Sequence, residues 1–213
     1  GAIDPTPTVG MVGLVEKPEH ITSQWFKDEG DVIILLGQAV DMGDPLLGLG
    51  GSALLQVEHG RKEGTPPPCD LAKEKTLHDA LLGLIETGVV KSAHDCAEGG
   101  LAVALAECAI SELTARQTPR LTGAEIDLSE VETDRVDALL YGEAHGRVII
   151  TTSEAEAGAA VDRAKLLGVP AQRIGTVTGN EQLCIKAGEN RLNWELTTLH
   201  DVWWNTIART MEK

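Results

Sequence analysis

The sequence has no long apolar run, no C-x-x-C pair and no basic N-terminus followed by an apolar stretch. A membrane-spanning helix needs about 20 apolar residues, and a signal peptide needs the basic and apolar regions that are missing here. Without a C-x-x-C pair, the four separated cysteines indicate neither a zinc site nor a dithiol redox motif. We therefore expect a soluble, cytoplasmic protein with reduced thiols.

Basic residues are scarce. The chain has 18 Lys and Arg against 33 Asp and Glu, which gives a net charge of -15. Phosphates would be repelled over most of such a surface, so we expect neither a nucleic acid nor an anionic membrane as a partner. With 42% hydrophobic residues in periodic segments, 213 residues are enough for one globular domain or two small ones.

Strand and helix signals alternate irregularly along the first half of the chain. Alternation predicts a strand in "VGMVGLVE" (9–16), and continuous apolar character predicts a strand buried on both faces in "DVIILLG" (31–37). The prolines at 66–68 precede an amphipathic helix with Asp70 as its N-cap and Gly88 just after its end. A short strand in "VVKSA" (89–93) and a helix over 100–114 follow.

The second half contains a strand, "GAEIDLS" (123–129), and a strand-helix-strand unit over 146–177. In that unit Ser153 and Glu156 match a capping box, Gly168 closes the helix and Pro170 prevents its return. A hairpin around "KAGENRLNW" and an amphipathic helix end the chain. This order favours an α+β fold, a mixed β-sheet with helices packed on one side.

The stretch "AHDCAEGGLAVALAE" (93–107) places acids and two glycines before an apolar helix. Unpaired N–H groups at a helix start attract anions, and Gly99 and Gly100 would let a phosphate approach closely. Asp95 and Glu98 could then hold magnesium beside that phosphate. Helix capping alone also explains these acids and glycines, and a single histidine such as His94 is more often structural than catalytic.

Three further segments carry weaker signals. "GLGGS" (48–52) resembles a phosphate loop but lacks the full glycine spacing and the lysine, which favours a structural turn. "YGEAHGR" (141–147) precedes a buried strand and fits a solvated turn and a ligand contact equally well. The tryptophans near the C-terminus favour a packing anchor over a base-stacking platform, because few basic residues accompany them; they are Trp194, Trp203 and Trp204.

Six stretches in order resemble consecutive motifs of the phosphoribosylformylglycinamidine synthase family: "DPTPTVGMVGLVE", "GDVIILLGQ", "GLGGSALLQ", "AHDCAEGGLAVALAE", "GAEIDLS" and "GEAHGRVII". The resemblance covers roughly residues 4–177. It implies a C-terminal portion of the large synthetase subunit, with a fold like the C-terminal domain of aminoimidazole ribonucleotide synthetase. Residues 1–26 would be the tail of the second A domain, 27–185 the second B domain, and 186–213 a C-terminal hairpin and helix.

That family converts formylglycinamide ribonucleotide to the amidine with ATP, magnesium and ammonia. The resemblance therefore implies a purine-biosynthesis ligase whose partners are the N-terminal half of the same enzyme, a glutaminase subunit, a small accessory subunit and a small-molecule nucleotide. The family's catalytic histidine and most ATP and magnesium ligands lie in the first half. We therefore expect no catalytic residue in this chain, and no activity from it alone.

Site roles carry over only to matching positions. The resemblance implies magnesium binding at Asp95 and an ancestral phosphate or nucleotide-binding surface at His94, Gly99, Gly100 and Glu143. The family's Glu-Ser-Gln motif, which contacts substrate in the first half, is changed here by the residues that follow the glutamate, Ala144 and His145. Two alternatives stay open: a scaffold half without a ligand, or part of another ATP-dependent synthetase or kinase with the same B domain, such as selenophosphate synthetase or thiamine-monophosphate kinase.

Overall fold

The computed structural model of the chain describes residues 8–115 and 117–212. Its strands are β1 (Val32–Leu36), β2 (Ser92–Asp95), β3 (Glu112–Ala115), β4 (Thr118–Arg120), β5 (Gly123–Asp127), β6 (Val148–Thr152), β7 (Ala171–Thr178), β8 (Gln182–Ala187) and β9 (Asn190–Glu195). Its α-helices are α1 (Ala53–His59), α2 (Leu71–Glu86), α3 (Gly100–Ile110), α4 (Val136–Tyr141), α5 (Glu154–Leu166) and α6 (Leu196–Met211), and a short 3-10 helix covers Pro18–His20.

One seven-stranded sheet organises the chain in the order β2-β6-β1-β7-β5-β8-β9. Strands β5 and β8 pair in parallel and the other neighbours are antiparallel, while β3 and β4 form a separate hairpin. The predicted α+β class and mixed sheet are confirmed. Among the described residues, no helix combines the length and apolarity needed to cross a bilayer.

Helices cover both faces of the sheet, so the prediction that they pack on one side is wrong. Side chains alternate along a strand, and in β1 Ile33 and Leu35 join one core with α3 and α4, whereas Val32, Ile34 and Leu36 join another with α2 and α5. All five residues of β1 are buried, as its continuous apolar character predicted. That character was the signal for a sheet covered on both sides.

Several local predictions are confirmed. Asp70 caps α2 by accepting from the backbone N–H groups of Ala72 (3.0 Å) and Lys73 (3.3 Å), and Gly88 follows the helix with φ +73°. The strand-helix-strand unit is β6-α5-β7, and the terminal hairpin and helix are β8-β9 and α6. The capping box is wrong in one detail: Ser153 is the N-cap of α5, but its side chain makes no capping hydrogen bond.

Other boundaries differ from the prediction. Residues 9–16 form no strand, and Val12 is fully exposed, because no strand within the described residues offers them hydrogen-bond partners. The strand predicted at 89–93 lies at 92–95 instead. Helix α3 ends at Ile110 rather than at residue 114, and β3 begins at Glu112 because its hairpin with β4 supplies that segment's partners.

The C-terminal tryptophans divide into two groups. Trp194 packs against the core beside β8, which agrees with a packing anchor. Trp203 and Trp204 are each 41% exposed on α6, with ring centroids 5.9 Å apart, and His200 stacks on Trp204. The ring contacts of Trp203 and Trp204 are with each other and with His200, all on α6, a difference from Trp194 that the sequence did not indicate.

Candidate functional site

Three loops meet at the side chain of Glu143. They are residues 48–52 before α1, residues 97–100 at the start of α3 and residues 142–147 between α4 and β6, and we call them together the loop junction. The Oε1 atom of Glu143 accepts hydrogen bonds from the backbone N–H of Gly99 (2.8 Å) and of Ala53 (2.7 Å). Its own backbone N–H donates to the carbonyl oxygen of Gly48 (2.8 Å). One glutamate thus connects segments that lie far apart in sequence.

The glycines of the loop junction are required by close backbone contact. Gly100 has φ +69°, and a Cβ there would lie 2.6 Å from the carbonyl oxygen of Gly142. Gly48 has φ +81°, and a Cβ there would lie 2.9 Å from the backbone nitrogen of Glu143. Positive φ and close approach are the two conditions that select glycine. The "GLGGS" segment, interpreted from sequence as a structural turn, is part of the same junction as the Gly-Gly turn.

Arg147 is the buried cation of the loop junction, with 4% of its surface exposed. Its guanidinium donates to the carbonyl oxygens of Ala144 (3.3 Å), Ala39 (3.1 Å) and Gly142. Burial lowers the pKa of Arg147, although a guanidinium keeps its proton at neutral pH. Sequence reasoning noted this arginine without giving it a role; the available signal was its position directly before a buried strand.

His94 is held between two carboxylates. Its Nε2 lies 2.8 Å from Oε2 of Glu107 in α3, and its Nδ1 lies 3.5 Å from Oδ1 of Asp95. The side chain is only 15% exposed. Both ring nitrogens therefore face acidic groups of the chain itself, which favours the structural role that the sequence left open for this histidine.

Asp95 ends β2 with its side chain 72% exposed. In the described ranges, no three or more His, Cys, Asp or Glu side chains are grouped closely enough to hold a metal ion. Magnesium commonly uses one or two carboxylates together with substrate phosphates. A single exposed aspartate does not form a metal site by itself, so it fits magnesium only where a phosphate shares the ion.

The predicted site residues lie on neighbouring segments. Gly99, Gly100 and Glu143 meet directly in the loop junction. Next to Asp95, the backbone N–H of Cys96 donates to the carbonyl oxygen of Arg147 (3.0 Å), and burial raises the pKa of the Cys96 thiol to about 11. The end of β2 thus adjoins the segment that carries Glu143. The ligand roles of these residues stay predictions.

A cavity of about 660 Å³ adjoins the loop junction, between the start of α2 and the loop that follows β1. Ala144 and His145 line it together with Lys73 and Asp70. None of the five residues predicted to contact phosphate, nucleotide or metal lines this cavity. The cavity therefore contacts the loop junction through Ala144 and His145 and not through Glu143.

The amino-acid sequence of the chain is similar to a known family and to curated proteins. Residues 28–186 match the family model described as AIR synthase related protein, C-terminal domain. The chain is 42% identical over 178 residues to the phosphoribosylformylglycinamidine synthase subunit PurL of Anaeromyxobacter dehalogenans, covering 83% of this chain and 22% of that protein. The chain thus spans about a quarter of the length of the curated relatives that it matches.

Solved structures of T. maritima PurL share the fold. The structure with FGAR has a TM-score of 0.67 at 20% identity, covering 86% of this chain and 30% of that one. The structure with ATP has a TM-score of 0.63 at 21% identity, covering 86% and 28%. The PurLQS structure from Thermotoga maritima has a TM-score of 0.58 at 18% identity, with the same coverage of 86% and 28%.

Proposed function

Because the chain belongs to the family of AIR synthase related C-terminal domains, we propose that it is a portion of a phosphoribosylformylglycinamidine synthase. The observation that carries this proposal is the 42% identity over 178 residues to a PurL subunit. Three of the six motif segments converge on Glu143 in the fold: those that contain Ala53, Gly99 and Glu143 itself. The whole protein would be an ATP-dependent C–N ligase of purine biosynthesis in the cytoplasm.

The proposed reaction converts formylglycinamide ribonucleotide to the amidine. ATP transfers its terminal phosphoryl group to the amide oxygen, and ammonia from a glutaminase partner then displaces the phosphate. Relatives with FGAR and with ATP support these two substrates. Magnesium would offset phosphoryl charge in the complete enzyme. Among the described residues of this chain, no three ligating side chains are grouped closely enough to hold the ion.

We propose residues 1–26 as the tail of a second A domain, 27–185 as a second B domain and 186–213 as a C-terminal hairpin and helix. Partners would be the N-terminal half of the same enzyme, a glutaminase subunit and a small accessory subunit. The PurLQS structure supports the existence of partner subunits. No catalytic residue is proposed within this chain.

The surface at the loop junction is proposed as the counterpart of a nucleotide-binding surface in the other half of the enzyme. Its members would be His94, Asp95, Gly99, Gly100 and Glu143. A second candidate function is a scaffold half that packs against the catalytic half and binds nothing at this surface. The hydrogen bonds of Glu143 to the chain's own backbone favour this second candidate.

An amidine-forming assay tests the proposed function. A full-length synthase containing this segment should form formylglycinamidine ribonucleotide from the amide, ATP and ammonium, measured by mass spectrometry. The 213-residue chain alone should form none above the rate without protein. A full-length protein that is folded but inactive on this substrate would contradict the assignment. Robust amidine formation by the isolated chain would contradict the absence of catalytic residues from it.

A further inference from the structure

We infer that the loop junction binds no nucleotide phosphate or magnesium, because the carboxylate of Glu143 serves as its built-in anion. This inference rests on the proposed descent of the loop junction from a nucleotide-binding surface. It adds that the side chain of Glu143 occupies the position where the anion of a ligand would bind.

Two backbone donors at the helix starts are bonded to the side chain of Glu143. N–H groups at the start of a helix attract an anion, and a carboxylate satisfies them as a phosphate would. Oε1 of Glu143 accepts from Gly99, just before α3, and from Ala53, the first residue of α1, at 2.8 and 2.7 Å. A phosphate oxygen could take these donors only after displacing the glutamate.

The positively charged or ionisable groups are bonded as well. The guanidinium of Arg147 is buried and donates to three backbone carbonyl oxygens, so it is not directed at a ligand. The imidazole of His94 has a carboxylate oxygen near each ring nitrogen. A bound phosphate would therefore gain no free cation here, while it would meet the charge of Glu143.

Magnesium has too few ligands at the loop junction. Asp95 is a single exposed carboxylate, and the part of the chain that the structure describes has no group of three ligating side chains. Magnesium at such a position needs phosphate oxygens to complete its coordination. If the junction excludes the phosphate, Asp95 lacks the other ligands and the ion does not bind there.

The positive role of Glu143 is to fasten α1 to α3. The two donors lie 90 and 44 residues away from it in sequence, so one carboxylate joins three loops. Charge-assisted hydrogen bonds are about twice as strong as neutral ones. We therefore expect this carboxylate to hold the two backbone N–H groups in place more firmly than a neutral side chain would.

The first test is a titration of the 213-residue chain, followed by the amide resonances of Gly99 and Ala53. Magnesium-ADP, magnesium alone and inorganic phosphate are added separately. We expect no saturable shift of either resonance with any of them. A saturable shift with magnesium-ADP that disappears in Asp95→Ala would overturn the inference and establish a working nucleotide site.

The second test is hydrogen exchange in Glu143→Gln, which keeps an oxygen at the same position but removes the charge. The Gly99 and Ala53 amides should exchange about tenfold faster than in the unchanged chain. Glu98→Gln is the matched control, because Glu98 is an exposed acid next to the turn, and it should leave both rates unchanged. Equal exchange in the two variants would overturn the role of the Glu143 carboxylate.

The two tests separate this inference from the proposed function. Nucleotide binding at the junction would refute the inference and leave the amidine-forming assay of the full-length enzyme unaffected. Failure of that assay would refute the proposed reaction and leave the Glu143 hydrogen bonds as they are. If Glu143→Gln does not fold, the titration of the unchanged chain still decides the question.

Discussion

Replacement of Arg147 by methionine tests whether this buried guanidinium stabilises the loop junction. Methionine has a similar length and no charge, so it fills much of the same space. It leaves the carbonyl oxygens of Ala39, Gly142 and Ala144 without their donor. Because Arg147 is 4% exposed, water cannot readily replace the guanidinium at these oxygens.

The expected loss follows from two opposing effects. A hydrogen bond to a charged group contributes about 1.5–3 kcal/mol, and three of them give a gross loss of about 4.5–9 kcal/mol. Removal of a buried charge returns several kcal/mol of desolvation cost. We expect a net loss of about 3 kcal/mol, a large share of the roughly 5–15 kcal/mol that stabilises a typical domain.

Urea unfolding followed by circular dichroism measures this loss. With an m-value of about 2 kcal/mol/M, the midpoint should fall by about 1.5 M. Arg147→Lys should lower the free energy of unfolding by less, about 2 kcal/mol, because the ammonium keeps the charge but not the planar set of N–H donors of the guanidinium. Arg135→Met is the control, since its ion pair with Asp137 is exposed and should contribute less than about 1 kcal/mol. An Arg147→Met midpoint equal to that of the control would refute the reasoning.

Three further outcomes are expected. The hydrogen bond that Lys91 donates to Asp28 lowers the pKa of Asp28 below 3.8. Burial lowers the pKa of Lys91, but the hydrogen bonds that it donates to the carboxylates of Asp28 and Asp31 raise it above 10.5 overall. The stabilisation from the Asp28–Lys91 contact is therefore complete between these two pH values and is lost as the pH falls through the folded pKa of Asp28 or rises through that of Lys91. Because Asp28 is exposed, Lys91→Met should lower the urea stability at pH 7 by about 1 kcal/mol, and by less as acid protonates Asp28; an equal loss throughout an acid titration would contradict this. Gly100→Ala should lower the free energy of unfolding by at least about 2 kcal/mol more than Gly88→Ala does in the same assay. Both glycines have positive φ, but of the two only Gly100 has backbone atoms within 3 Å of an added Cβ; equal losses would contradict this. Cys69 is exposed and the other three cysteines are buried, so Ellman's reagent should titrate one thiol in the folded chain and four in denaturant; more than one fast thiol in the folded chain would contradict the burial.

The strand-helix-strand unit and α2 were predictable from sequence because their signals are local. The N-cap at Asp70, the glycine at 88 and the proline at 170 each act within a few residues of the position they control. The strand expected at 9–16 was wrong for the opposite reason. Alternation in sequence describes which faces a strand would have, but a strand forms only where another strand supplies hydrogen-bond partners.

The candidate site was predictable only in part. Residue type and the Gly-Gly turn indicated an anion-binding helix start, and the chain does place an anion there. That anion is the side chain of Glu143, which comes from a loop 44 residues later in sequence. The separation explains why the sequence did not reveal the contact of Glu143 with this turn; the ligand role that the resemblance implies for Glu143 stays a prediction.

The sequence by itself determined the family, the α+β class, the buried central strand and the glycines that the turns require, because these depend on composition, order and local backbone preference. Only the tertiary structure decided that helices cover both faces of the sheet, that Arg147 donates to three carbonyl oxygens and that Glu143 bridges two helix starts. These features depend on contacts between segments distant in sequence. Local physical preferences do not specify which donor meets which acceptor across such distances.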